Sequence, residues 1–180
     1  MLNAKDAAID IYLIDIVNPA QYYGAGWLEP LDAYIGKPAD VMKPYLPVYA
    51  SSNVVDGKIA AMPAFADAMF MYYRKDLLAK HGVAEPKTWD ELAATAKEVM
   101  DGERAAGNAD MWGFVWQGNA YEGLTCDALE WVKSFGGGQI VEPDGTISVN
   151  NPNAAKALDT VKGWVGTISP EGVLAYQEEE

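Results

Sequence analysis

Residues 56–82 read DGKIAAMPAFADAMFMYYRKDLLAKHG. Asp56-Gly57 marks a tight turn. Two strand-like runs follow, Lys58–Phe65 and Met69–Tyr73, with one carboxylate, Asp67, between them. The stretch closes on a short helix over Arg74–His81, and Gly82 is placed to end it as the C′ residue. Asp is seldom fully buried unless paired. A lone Asp among apolar and aromatic residues therefore faces water at a strand end, or faces something that hydrogen-bonds to it.

Outward from that stretch, strands alternate with helices. Ile9–Val17, IDIYLIDIV, is a nearly continuous apolar run that suits a buried parallel strand, with Asp15 near its end. Pro19 opens a short helix, and LEPLDAYI is a second amphipathic piece. Residues 37–55, with Pro38, Pro44 and Pro47, read as a loop with a short helical turn. Further on, Thr88 and Glu91 form a capping box, opening a helix with Leu92, Ala96 and Val99 on one face. Trp112–Trp116 reads as a strand, and Leu124–Phe135 as a helix stopped by Gly136–Gly138. Asp144-Gly145 turns a hairpin over residues 140–148. Asn151-Pro152 starts a helix running to about Val165, and residues 170–180 begin one more. The class is α/β with a largely parallel sheet.

Composition removes several functions. The net charge of −13 repels a phosphate backbone, which argues against nucleic-acid binding. Cys126 is the only cysteine and His81 the only histidine, so no zinc-ligand spacing exists. No cofactor motif appears either: Gly136–Gly138 close a helix and no Lys-Ser/Thr follows them. His81 suits the negative end of a helix, and no nucleophile has a second histidine to serve it. No apolar run is long enough to span a bilayer. The N-terminus lacks the order of charge, apolar core and cleavage site that marks a signal peptide.

Three stretches combine carboxylate, amide and aromatic groups where a strand gives way to a loop. They are Asp15–Asn18, Phe65–Asp67 and Trp116–Glu122, the last with Asn119, Tyr121 and Glu122. Ligands of open α/β sheets bind beyond the carboxyl ends of strands. A carboxylate accepts hydrogen bonds from neighbouring hydroxyls, and an aromatic face takes the apolar side of a ring. Together these groups suit a sugar. The bland reading makes the aromatics core residues and the carboxylates caps; Trp27, Trp89, Trp131 and Trp164 are assigned to packing on that ground. With 26 acidic residues, a carboxylate pair of the glycosidase kind is easily found by chance.

The stretches YLIDIVNPAQYYGAGWLEPLD, DGKIAAMPAFADAMFMYYRKDLLAKHG, PKTWDELAATAKEV, GFVWQGNAYEGLTCDALEWV and VNNPNAAKALDTVKGWVGTISPEGV resemble the family 1 extracellular solute-binding proteins of ABC importers. They lie nearest the trehalose/maltose-binding branch. The resemblance runs from about Ile9 to Glu180. WQGNAYEGL and WVGTISPEG are its most specific words. It implies a type II periplasmic binding protein fold, present in part, as two incomplete lobes over 1–67 and 68–180, with the crossing near Ala66–Met71. It implies a sugar, di- or oligosaccharide, held without catalysis or cofactor by Asp15, Phe65, Asp67, Trp116, Asn119, Tyr121 and Glu122. It also implies an ABC permease as partner and a periplasmic or extracellular location. Relatives are longer at both ends, so the chain reads as an internal piece expected to self-associate. The rival readings are a glycoside hydrolase-like enzyme using paired carboxylates, and a folding or interaction module without ligand.

Overall fold

The structure is a computed structural model describing residues 9–142 and 144–179. The first eight residues, where the N-terminal reading began, lie outside it, as do Pro143 within the hairpin and Glu180. The chain divides into two compact units between Met71 and Tyr72.

The first unit is built from short helices and one hairpin. α1 (Pro19–Gly24), α2 (Asp32–Ile35), α3 (Pro38–Val41) and α4 (Pro47–Ser52) precede β1 (Val54–Val55) and β2 (Lys58–Ile59). Proline at the first turn of α1, α3 and α4 supplies a preset φ where no intrahelical N–H bond is lost. β1 and β2 pair antiparallel, Val54 opposite Ile59 and Val55 opposite Lys58. The turn between them has φ 49° at Asp56 and 73° at Gly57, the left-handed pair that a two-residue hairpin demands. Ile59 is fully buried beside Met42 and Ala60. Its N–H donates to Asp32 Oδ2 at 2.9 Å and its carbonyl accepts from Leu31 N at 3.0 Å, so α2 is tied to the hairpin.

The second unit contains α5 (Lys75–His81), α6 (Trp89–Ala105), α7 (Glu122–Ser134), α8 (Pro152–Trp164) and a 3₁₀ turn at Glu171–Ala175. Their ends follow from local chemistry. Gly82 closes α5 at φ 69°. Thr88 Oγ1 accepts from Glu91 N at 3.2 Å, but Glu91 Oε2 takes the N–H of Lys87 at 2.7 Å instead of that of Thr88. The capping box therefore closes one residue further out than its usual form. Asn151 Oδ1 accepts from Asn153 N and Ala154 N, each at 3.0 Å, with Pro152 at the first position of α8. The expected hairpin is present as an isolated antiparallel bridge, Val141 opposite Ile147.

The core of this unit joins Ala96 of α6, Trp131 and Val132 of α7, and Ala154, Ala157, Val161 and Trp164 of α8 with Ile168. Aromatic rings meet edge to face at its centre: Trp164 with Phe114 at 5.6 Å and with Trp131 at 6.3 Å. Of the tryptophans assigned to packing, Trp131, Trp164 and Trp89 belong to this cluster, and Trp27 packs on Tyr22 at 5.3 Å. Glu103 of α6 is buried and accepts from Lys80 at 2.6 Å and His81 at 2.7 Å, clasping α5 to α6.

The strands are where the structure departs from the sequence reading. Residues 9–16 form no strand, and Ile11 and Leu13 are 91% and 77% exposed. Residues 62–73 are likewise unpaired, with Phe65 and Phe70 exposed. Trp112–Trp116 is not a strand either, although Gly113 N and Phe114 N reach Ile168 O at 2.9 and 3.0 Å. The expected parallel sheet is not formed among the described residues; their only sheet is β1–β2. The reason is that a strand needs a ladder partner, and the backbone N–H groups of 9–16 and 62–73 find no backbone acceptor among the described residues. The helices needed only local sequence and an apolar face.

Candidate functional site

Asp15, Phe65 and Asp67 belong to the first unit. Asp15 is exposed at the foot of α1; its Oδ1 accepts from Val17 N at 3.2 Å and its carbonyl from Asn18 N at 2.9 Å, a turn leading into the helix. Phe65 and Asp67 lie on the unpaired extended segment. The Asp67 carbonyl accepts from the Tyr49 hydroxyl at 2.6 Å, which anchors the segment to α4. The Asp67 carboxylate is exposed and takes no hydrogen bond from the described residues. It is not a cap, and its acceptor capacity is open.

Trp116, Asn119, Tyr121 and Glu122 are brought together on one loop that leads into α7 in the second unit. Trp116 turns its indole toward the core, edge-on to Trp131 at 5.1 Å, and its Nε1 is buried with no partner among the described residues. Asn119 N donates to Tyr176 O at 3.0 Å, while its Oδ1 accepts from Ala120 N at 2.8 Å. The Tyr121 hydroxyl donates to Gln117 Oε1 at 2.7 Å. Burial, and then the Glu178 carboxylate beside it, push its pKa up to about 12, so it remains a donor at any physiological pH. Glu122 opens α7, where a negative charge suits the helix dipole, and accepts from Cys126 Sγ at 2.8 Å.

Two glycines fix this loop. A Cβ at Gly118 would overlap the carbonyl of Val173, to which Gly118 N donates at 3.1 Å. A Cβ at Gly123 would occupy the place of Gln117 Oε1 and the Tyr121 hydroxyl. Beside Tyr121, an apolar groove of about 540 Å³ runs along α7 and α8, lined among others by Leu124, Ala128, Val132, Val149 and Leu158.

The sequence reading missed Tyr49 and Asp127, and included Gln117 in the Trp116–Glu122 stretch without giving it a role. Asp127 is buried within α7, and Oδ2 accepts from Gln117 N at 3.1 Å. Its signal was available: Gly123, Asp127 and Trp131 repeat at i, i+4, i+8 on the face that α7 buries. Burial is the main cause that raises its pKa to about 6. A carboxyl raised in the fold contributes stability below its unfolded value near 3.9 and loses it as pH rises through about 6. Glu103 acts in the opposite sense: Lys80 first, then His81, hold its carboxyl below the usual range, so its contribution is lost as pH falls.

Among the described residues no cluster of three or more His, Cys, Asp or Glu could hold a metal ion. The single imidazole is spent on Glu103. No helix of the described residues is long and apolar enough to cross a membrane.

Comparison with known proteins gives the family. Residues 1–179 match the family described as Bacterial extracellular solute-binding protein, and the chain belongs to it. It is similar to a probable ABC transporter-binding protein of Deinococcus radiodurans, 48% identical over 180 residues, which cover 99% of this chain and 42% of that protein. A putative binding protein of Brucella abortus is 31% identical over 172 residues, 94% of this chain and 38% of that one. A mannitol-binding protein of Pseudomonas aeruginosa is 36% identical over 93 residues, half of this chain and 21% of the relative. The chain thus spans less than half the length of the curated relatives it matches. The fold is that of a periplasmic solute-binding protein in part. An ABC transporter solute-binding protein from Agrobacterium radiobacter, crystallised with ribitol, superposes with a TM-score of 0.74 at 24% identity, over 98% of this chain and 43% of that one.

Proposed function

We propose that the chain binds a sugar or polyol without chemical turnover and delivers it to an ABC permease outside the cytoplasmic membrane, in the periplasm or at the cell exterior. The observation that carries this reading is the uncommitted Asp67 carboxylate, exposed beside Phe65 on an extended segment. Asp15 in the first unit, and Asn119, Tyr121 and Glu122 above Trp116 in the second, complete the proposed set of ligand contacts. The proposed lobes are 1–67 and 68–180, with the crossing near Ala66–Met71. That one structural relative holds ribitol and one sequence relative binds mannitol supports a polyhydroxylated ligand; the likeness to the trehalose/maltose branch favours a di- or oligosaccharide.

Titration calorimetry against mannitol, ribitol, maltose and trehalose tests the reading. Asp67→Ala should cost about 2 kcal/mol of binding, the scale of a hydrogen bond to a charged group. Its circular dichroism should stay unchanged, because no hydrogen bond or ion pair among the described residues uses that carboxylate. Equal affinity in the variant would move the site away from Asp67. Turnover of a chromogenic glycoside would favour the glycosidase alternative, and flat titrations against all four ligands would favour a module without ligand.

Self-association accompanies this reading. Ile11, Leu13, Phe65 and Phe70 are exposed on unpaired extended segments, and such segments pair with other chains unless blunted. The net charge of −13 opposes that pairing, so association should strengthen as salt is added. Light scattering over a concentration series at low and high salt checks it; the mass of one chain under all conditions would exclude it.

A further inference from the structure

One buried group is unused by the sugar reading. Asp127 is 6% exposed, inside α7. Its Oδ2 accepts from the N–H of Gln117, ten positions earlier at the root of the 116–121 loop. Gln117 passes that constraint on, since its Oε1 accepts the Tyr121 hydroxyl at 2.7 Å. Both side chains lie flush against α7 because Gly123 has no Cβ. On the other flank two backbone bonds hold the loop, Gly118 N to Val173 O at 3.1 Å and Asn119 N to Tyr176 O at 3.0 Å. Three successive amides are therefore tied down, and a titratable side chain holds only the first.

We propose that Asp127 is a positioning residue for the candidate ligand loop: from inside α7 it sets the backbone of Gln117 and, through Gln117, the hydroxyl of Tyr121. This rests on the reading of Tyr121 and Asn119 as ligand contacts. The ionised carboxylate is a charge-assisted acceptor and the protonated one a weaker acceptor. The titratable groups around it are Glu130 on the same helix and the Tyr121 phenol of the loop, itself near Glu178 and Glu122. Burial, together with the like charge of Glu130, brings the titration to about pH 6. The grip on the loop thus loosens in mild acid while the backbone ties at 118 and 119 persist.

The test is nitrogen–proton NMR of the 180-residue chain from pH 4.5 to 8, with mannitol and trehalose as ligands. In the wild type the Gln117 amide should shift with a midpoint near 6. Asp127→Asn, which keeps an acceptor, should hold that amide in place and abolish the step. Asp127→Ala should displace the resonances of Gln117, Gly118 and Asn119 at every pH. Affinity for whichever ligand binds should fall about fivefold on acidification in the wild type and not in Asp127→Asn. A flat Gln117 titration in the wild type, or sugar affinity indifferent to Asp127→Ala, overturns the proposal. If Gln117 titrates as described and neither ligand binds, the sugar reading fails and the positioning role stands.

Discussion

Trp164→Ala should lower the unfolding free energy by about 4 kcal/mol, the cost of emptying a large aromatic site that neighbours cannot refill. Trp164 is 5% exposed at the end of α8. Its ring lies 5.8 Å from Trp89 at the start of α6, 5.6 Å from Phe114 on the connecting segment and 6.3 Å from Trp131 in α7. One side chain thus holds several segments together, and its loss removes area burial and three ring–ring contacts at once. A domain is stable by only about 5–15 kcal/mol, so the variant's urea transition should move to a much lower midpoint. Trp164→Phe should recover part of the loss, because a smaller ring still fills part of the site. Denaturation followed by far-ultraviolet circular dichroism gives both values; a midpoint unchanged from the wild type would mean that the cluster does not carry the unit.

Gly113→Ala is the second large effect, about 3 kcal/mol, and its cause is the reverse, too much matter in place of too little. A Cβ at this position would stand 2.6 Å from the carbonyl oxygen of Ala96 and 2.9 Å from its carbonyl carbon. Those are backbone atoms in the middle of α6, and they cannot swing aside as a side chain can. The segment would have to lift off the helix, which stretches the bonds from Gly113 N and Phe114 N to Ile168 O and draws Phe114 away from Trp164. The same denaturation experiment checks it. Wild-type stability in the variant would show that 112–114 does not lie against α6 this closely.

Helices were legible in the sequence and strands were not, for a physical reason. Thr88, Asn151 and Gly82 each end a helix with a bond or a dihedral that a few adjacent residues supply, so a reader of the chain sees both cause and effect within one turn. Ile9–Val17 and Met69–Tyr73 have every strand-like property except a partner, and a partner is a property of some other stretch. At Asp56-Gly57 the turn and the strand after it were legible, while β1 fell in a stretch read as loop, because its pairing is set by the partner across the turn. The site divides in the same way. Asp67, Asn119 and Tyr121 are proposed contacts that composition alone singled out, and no strand ends beside Asp67 among the described residues. Trp116 resembled them in sequence, yet its ring is drawn into the core by Trp131, a residue fifteen positions on. Asp127 was overlooked because an acid in a helical stripe looks like surface until its partner atom, Gln117 N, is known.

Each unit is assembled from one uninterrupted length of chain. The buried cluster of the second unit takes residues only from Ala96 to Ile168, and the hairpin of the first is closed by Asp32 and Leu31. Each core is therefore contained in one stretch of chain. In the second, the contact of Trp89 with Trp164 closes nearly the full length of the core-forming stretch, so the α6–α8 packing is the step that costs the most loop entropy.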